Sequence, residues 1–162
     1  MGRETERKFL VNGEGWRAQA DEGQTIRQAY LAIDDDRQVR VRILDGKTAR
    51  LTIKTGGASL SRAEFEYDIP LSDAEALMES GVGQPIAKTR FRVPAGGGLT
   101  WEIDRFEDRH EGLVIAEIEL DSEDADFDRP DWLGREVTGD KAYYNAALAA
   151  DGVTPSETGT SR

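Results

Sequence analysis

The feature that most constrains this chain is charge placed at every second residue, repeated in seven separate segments. Successive side chains of a strand point to opposite faces, so residues two apart lie on the same face. Glu4, Glu6 and Lys8 share a face, and so do Arg40 and Arg42, with Val39, Val41 and Ile43 opposite. Thr52 and Lys54 oppose Leu51 and Ile53, and Glu64 and Glu66 oppose Phe65 and Tyr67. Lys88, Arg90 and Arg92 oppose Thr89, Phe91 and Val93, and Glu102 and Asp104 oppose Trp101 and Ile103. Glu117 and Glu119 are read as opposing Ile115, with Ala116 on the acidic face and Ile118 and Leu120 on the apolar one. A wet outer face accounts for any one of these runs, because antiparallel sheets commonly have one. It accounts poorly for all of them, since outer faces mix Thr, Ser, Gln and Lys. Like charges crowded this closely are unfavourable unless a counter-ion or ligand relieves them. A closed barrel with a charged lumen fits, its apolar outer positions covered by helices or a partner subunit.

The spacing predicts eight strands: 4–11, 25–33, 38–44, 49–54, 62–69, 87–93, 99–106 and 113–120. Asp45-Gly46 is a favoured hairpin turn, and Gly96-Gly97-Gly98 joins the sixth strand to the seventh. Trp16 to Ala20 reads as a short helix. Ser72 and Glu75 form a capping box for a second helix through Ser80. Thr138 caps a last helix, with Tyr143, Tyr144, Ala147 and Leu148 as its apolar face. The segment 121–130 is acidic and irregular. With 162 residues, no repeat and no linker, the chain is expected to form a single domain over 1–150, followed by a disordered tail at 151–162. The fold class is therefore α+β, mainly antiparallel β, an eight-stranded closed barrel with flanking helices and a C-terminal helix.

Bulk charge narrows the function. A formal net charge of -11 speaks against a nonspecific nucleic-acid binder. The absence of Cys removes disulfides and thiolate zinc sites. The charged start Met-Gly-Arg-Glu has no apolar leader segment after it, and no stretch approaches the ~20 apolar residues of a membrane helix. The expected location is the cytoplasm, with no membrane partner.

The two signs of charge indicate a chemistry. Hard cations such as Mg2+ or Mn2+ take carboxylate oxygens, and Lys and Arg take phosphate oxygens. A surface with both is built to hold a metal–polyphosphate complex. Phosphoryl transfer is catalysed mainly by positioning and charge stabilisation. One metal can polarise a phosphoryl oxygen, a second can acidify the attacking water, and a free carboxylate can take its proton.

The segment Glu4-Thr5-Glu6-Arg7-Lys8 resembles the Glu-x-Glu-x-Lys signature that opens the CYTH domains, or triphosphate tunnel metalloenzymes. Val41-Arg42-Ile43, Leu51-Thr52-Ile53-Lys54, Arg62-Ala63-Glu64-Phe65-Glu66 and Lys88-Thr89-Arg90 resemble further family segments. So do Trp101-Glu102-Ile103-Asp104, Ala116-Glu117-Ile118-Glu119 and Glu136-Val137-Thr138-Gly139-Asp140-Lys141, all in family order. The signature alone is weak; the ordered set, spanning residues 4 to about 148, is specific. The resemblance implies an eight-stranded antiparallel tunnel. It implies Glu4, Glu6, Asp104, Glu117 and Glu119 as metal ligands or water activators, with Glu66 and Glu102 added to the metal set. Lys8, Arg40, Arg42, Lys54, Lys88 and Arg90 would line the substrate path. Catalysis would fall to Glu4, Glu6, Lys8, Lys88 and Asp104. The cofactor would be Mg2+ or Mn2+, and the partner a small triphosphate anion. Family members often form homodimers.

Inorganic tripolyphosphate hydrolysis, to pyrophosphate and phosphate, is the leading reading. Its alternatives are ATP or thiamine triphosphate hydrolysis, an adenylate cyclase of class IV type, and a non-catalytic polyphosphate-binding module. The aromatics Phe65, Tyr67, Phe91 and Trp101 fall on the parity opposite the charges, which leaves a nucleobase little to stack on except Tyr30 and the terminal helix at one mouth. His110, the single His, reads as a solvated loop residue, and Trp16, Trp101 and Trp132 read as packing anchors. Arg105 should face outward. Lys141 either reaches into the lumen or lies on the surface, and the roles of Glu64 and Arg62 stay open.

Overall fold

The computed structural model describes residues 5–34, 36–56, 63–143 and 148, the side chain of Lys141 excepted. Nine strands form: β1 (Thr5–Val11), β2 (Gln24–Ile33), β3 (Arg37–Leu44), β4 (Thr48–Thr55), β5 (Ala63–Ile69), β6 (Val82–Gly96), β7 (Leu99–Phe106), β8 (Val114–Leu120) and β9 (Leu133–Glu136). Among the described residues, one continuous α-helix, α1 (Leu71–Met78), and three short 3-10 turns accompany them, and Leu148 is helical as well. The sheet order is β5-β4-β3-β2-β6-β7-β8-β1-β9. The pairs β1–β8, β1–β9, β2–β3, β3–β4, β4–β5 and β7–β8 are antiparallel. Among the described residues this order is open, ending at β5 on one side and β9 on the other. β9 is a strand that the period-two reading missed, because four residues give too short an alternation to detect.

The described residues pack as two compact units, one within residues 5–24 and 89–143 and one within residues 25–88 together with Leu148. In the first unit, alternation sends Phe9, Val11, Phe91, Val93, Trp101, Ile103, Ala116, Ile118 and Leu120 to one face, where they form a core cluster. The irregular segment after β8 covers this face, with Ala125, Phe127, Trp132 and Leu133 packed against it. Phe9, Trp101, Phe127 and Trp132 meet edge to face, with centroids 5.4–5.9 Å apart. Here one expectation fails. Ala116 belongs to the apolar face, opposite Phe9 and Ile103, and Ile115 lies on the charged side with Glu117 and Glu119. A period of two allows nothing else, since residue 116 must oppose residues 115 and 117. Arg105 lies over the Phe91 ring at 5.2 Å on the covered side.

In the second unit, Ala29, Val41, Ile43 and Ala49 form the apolar face, and α1 closes it through Ala74, Leu71, Leu77 and Met78. The turn after β3 has Asp45 at φ 55° and Gly46 at φ 66°, the double left-handed pair of a type I′ hairpin. α1 does not use the expected capping box: Pro70 precedes its first residue, and no side chain caps it. Phe65 and Tyr67, on the terminal strand β5, keep 46% and 54% of their surface exposed.

The chain's end is tied down differently from the expectation. Among the described residues, Thr138 caps no helix. Its Oγ1 accepts the Lys8 N–H at 2.8 Å and donates to Glu136 Oε2 at 2.7 Å. Arg7 donates to both Glu136 oxygens at 2.9 and 2.7 Å and stacks over Phe9 and Phe127. The 3-10 turn Lys141–Tyr143 is instead capped by Asp140, whose Oδ1 accepts the Ala142 N–H at 3.1 Å. Leu148, an apolar position of the expected last helix, is helical and 1% exposed, while residues 144–147 and 149–150 and the tail at 151–162 lie outside the described residues. A Cβ on Gly134 would meet Asn12 Oδ1 and the Leu10 carbonyl at 2.9 Å, so only glycine lets β9 approach β1 this closely.

His110 is buried at 1% exposure and sits edge to face with Phe106, centroids 6.2 Å apart, not in solvent as expected. Its charged neighbours Asp108, Arg109 and Glu111 masked it in the sequence. Trp16 and Trp101 are buried at 2% and 1%, as packing anchors should be. No described helix is long and apolar enough to cross a membrane.

Two outcomes follow. Ile103→Ala should cost about 2–5 kcal/mol of unfolding free energy by denaturant titration, whereas the exposed Phe65→Ala should stay within about 1 kcal/mol. The second concerns acid. Arg7 and Thr138 hold the Glu136 carboxyl down at about 2, from an ordinary 4.5. The stabilisation is therefore complete above pH 4.5 and fades as pH falls towards 2. Glu136→Gln should flatten that part of a melting-temperature profile and leave the slope above pH 5 unchanged.

Candidate active site

Each unit presents one charged face, the face its apolar cluster leaves free. In the first unit, β1, β8 and β7 lie side by side, so registers fix the rows. Glu6 stands opposite Glu119, Lys8 opposite Glu117, and Glu117 in turn opposite Glu102. Lys8 Nζ meets Glu117 Oε2 at 2.6 Å. On β6, Arg90 donates through Nε and Nη2 to both oxygens of Asp104, at 2.7 and 2.9 Å, and its Nη1 reaches Glu102 at 3.2 Å. Arg92 lies 3.9 Å from Glu102. Glu6, Glu102, Glu117 and Glu119, together with Gly98, Leu99 and Thr100, line a cleft of about 240 Å³.

The electrostatics follow from the rows. Burial and the charge of Glu117 push the Glu6 carboxyl up to about 7, against the opposing pull of Lys8. Glu6 is solvent-accessible and lines the acidic cleft. For Lys8, burial alone would lower the ammonium's pKa; Glu117, Glu6 and Asp104 outweigh it and raise it. Arg90 behaves alike, with burial opposed by Asp104, Glu102 and Glu117. The cations are thus locked in their charged form, and the surplus of carboxylates is what remains unneutralised.

In the second unit, one row runs Tyr30–Arg40–Thr52–Glu66 and the next Gln28–Arg42–Arg50–Asp68. Lys54 stands opposite Glu64. Arg42 Nε donates to Gln28 Oε1 at 3.0 Å, and Thr52 Oγ1 donates to Glu66 Oε2 at 3.2 Å. Arg40 is 9% exposed, Gln28 fully buried and Tyr30 4% exposed. Arg40 Nε and Gln28 Nε2 are buried without a hydrogen-bond partner among the described residues.

The structure thus groups Glu6, Lys8, Arg90, Glu102, Asp104, Glu117 and Glu119 on one face, and Arg40, Arg42, Lys54, Glu64 and Glu66 on the other. Lys88 follows Arg90's parity along β6 and is 1% exposed. Glu4, Arg62 and the side chain of Lys141 lie outside the described residues. The reading from sequence missed Gln28, since a lone neutral amide in a strand carries no charge signal. The donor set of four carboxylates suits a hard cation. Among the described residues no three of these carboxylates close on a common point as they stand.

An antiparallel sheet that pairs crowded carboxylates with locked cations defines a protein that handles polyanions, and comparison with known proteins sharpens this. The CYTH domain family matches residues 2–146, and the chain belongs to it. An inorganic triphosphatase of Acetivibrio thermocellus is 46% identical over 149 residues, covering 91% of this chain and 94% of that protein. An inorganic triphosphatase of Nitrosomonas europaea is 37% identical over 153 residues, covering 90% and 96%. A crystal structure of an inorganic triphosphatase superposes with a TM-score of 0.72 at 32% identity, over 96% of this chain and 99% of that one.

The Glu6 environment makes a signed prediction for chelated protein. A carboxyl raised from 4.5 to about 7 binds its proton more tightly folded than unfolded. It favours the fold below pH 4.5, and that contribution disappears as pH rises through 7. Glu6→Gln should therefore melt higher than the parent at pH 8 and close to it at pH 4. A lower melting temperature at pH 8 contradicts the crowding argument.

Proposed function

We propose that this chain hydrolyses inorganic tripolyphosphate to pyrophosphate and orthophosphate, with Mg2+ or Mn2+ as cofactor. The observation that carries the reading is the row Lys8–Glu117–Glu102 with Glu6 and Glu119 beside it, a carboxylate surplus interleaved with permanently charged cations. A pure polyphosphate-binding module would need the cations and gain nothing from the carboxylates. The relatives named as inorganic triphosphatases support the same activity. A closed eight-stranded tunnel belongs to the proposal too, and rests on the family likeness.

The roles follow from chemistry. Arg40, Arg42, Lys54, Lys8, Lys88 and Arg90 hold the phosphate oxygens and offset the charge that spreads over them during transfer. Glu6, Glu102, Glu117 and Glu119 would hold the cation, together with Glu4 and Glu66. When bound, the divalent ion polarises a phosphoryl oxygen and lowers the pKa of the attacking water. Asp104 belongs to the same cation-binding and catalytic set, and Arg90, which donates to both its oxygens, orients it. The water oxygen bonds to the terminal phosphorus as the bridging P–O bond breaks. A carboxylate outside the coordination sphere takes the water's proton, and pyrophosphate leaves with the bridging oxygen.

Substrate choice rests on where the aromatics lie. Phe91 and Trp101 are packed into the apolar cluster, away from the charged side, and offer a nucleobase no platform. Tyr30, on the charged side, is 4% exposed. We expect kcat/KM for tripolyphosphate to exceed that for ATP under identical metal conditions, with phosphate and pyrophosphate as products. Higher values for ATP, or cyclic AMP among the products, favour the cyclase reading. Exhaustive chelation should abolish turnover, and Glu119→Gln should lower kcat by several orders of magnitude, as for groups that act as a unit. Full activity in chelator overturns the metal requirement.

A further inference from the structure

Gln28 is the one neutral amide on the charged face of the second unit that is fully buried, and its two ends are unequal. Arg42 Nε can only donate, so the Gln28 atom 3.0 Å from it must be the carbonyl oxygen. That contact fixes the amide's orientation and commits its acceptor. The other end, Nε2 with two N–H donors, is buried and has no partner among the described residues. One row along, Arg40 Nε is buried and likewise without a partner among the described residues, although Arg40 as a residue is 9% exposed. Strand registers set Gln28 opposite Arg42 and Tyr30 opposite Arg40, so Gln28 and Arg40 are diagonal neighbours on one face. Buried donors left unpaired are costly, and an amide N–H pair and a guanidinium N–H left so, with the Arg42 guanidinium beside them, call for an acceptor-rich ligand.

We propose that Gln28 is a substrate-binding residue, whose Nε2 donates to a non-bridging oxygen of the phosphate group held by Arg40 and Arg42. This rests on the triphosphate reading of the charged faces and adds a neutral donor to a site otherwise read as charged. A neutral donor has a use there. It satisfies a phosphate oxygen without adding to the repulsion between Arg40 and Arg42. Because Arg42 holds its carbonyl, the amide meets the ligand already oriented, and little rotamer freedom is lost on binding. The competing role is purely positional, with Gln28 serving only to aim Arg42.

A double-mutant cycle separates the two roles. Steady-state KM for tripolyphosphate at saturating Mg2+, and the direct dissociation constant in chelator by calorimetry, are measured for the parent, Gln28→Ala, Arg42→Ala and the double variant. Failure of the parent to bind or cleave tripolyphosphate sinks the triphosphate reading itself, independently of Gln28. Given a competent parent, Gln28→Ala should weaken binding roughly 10- to 100-fold, the loss of one hydrogen bond to a charged acceptor. The same change should still weaken it at least about fivefold in the Arg42→Ala background, where a positional role would have nothing left to aim. An effect that vanishes in that background, or no effect in either, overturns the proposal. Gln28→Met, of the same length but unable to donate, gives the same readings if the alanine variant fails to fold.

Discussion

In an antiparallel ladder, opposite residues are held about 5 Å apart whatever they carry, and every second residue faces the same way. That constraint organises everything else in this protein. Burying Trp101, Ile103, Ile118 and Phe9 on one side forces Glu102, Asp104, Glu117 and Lys8 to share the other. The core and the charged face are two consequences of one alternation, and neither can be moved by a residue without exchanging with the other.

Neutralisation across the strands then sorts the charges. Arg90 is taken up by Asp104 and Glu102, and Lys8 by Glu117. Glu6 and Glu119 stand opposite each other across β1 and β8. Desolvation within the cleft and the charge of Glu117, against the pull of Lys8, push the Glu6 carboxyl up to about 7. In the second unit the sign is reversed around Arg40 and Arg42, where donors outnumber acceptors. The chain's bulk charge of -11 describes neither face. Binding a polyanion is a local property, and so is holding a cation.

Much of this was legible as pattern. The alternating runs placed β1 to β8 within a few residues of their observed bounds, although β6 runs longer at both ends, and they assigned the charged parity correctly for β3, β4, β6 and β7. Where the parity was applied loosely, at Ala116, the assignment was wrong. The capping reading failed at α1, and Thr138 is engaged elsewhere. Thr138 serves β1 through the Lys8 N–H, and Ser72 lies inside a helix that begins one residue earlier. Local sequence gives a Thr or Ser a choice of nearby amides, and a distant strand offering its own edge can win. His110 was misread for a similar reason, since its burial is decided by Phe106 and not by its charged neighbours.

The sequence by itself determined which residues share a face, because a two-residue period needs no partner to be read. It also determined the chemical character of each face, since nearly all the alternate positions are charged. Only the tertiary structure decided which charges oppose one another, as register comes from strand order and turns and not from composition. That is what made Asp104 the anchor of Arg90 and set Glu6 against Glu119. It is also what brought out Gln28, which carries no charge. Its amide becomes conspicuous only once Arg42 is seen to hold one end and burial leaves the other without a partner among the described residues.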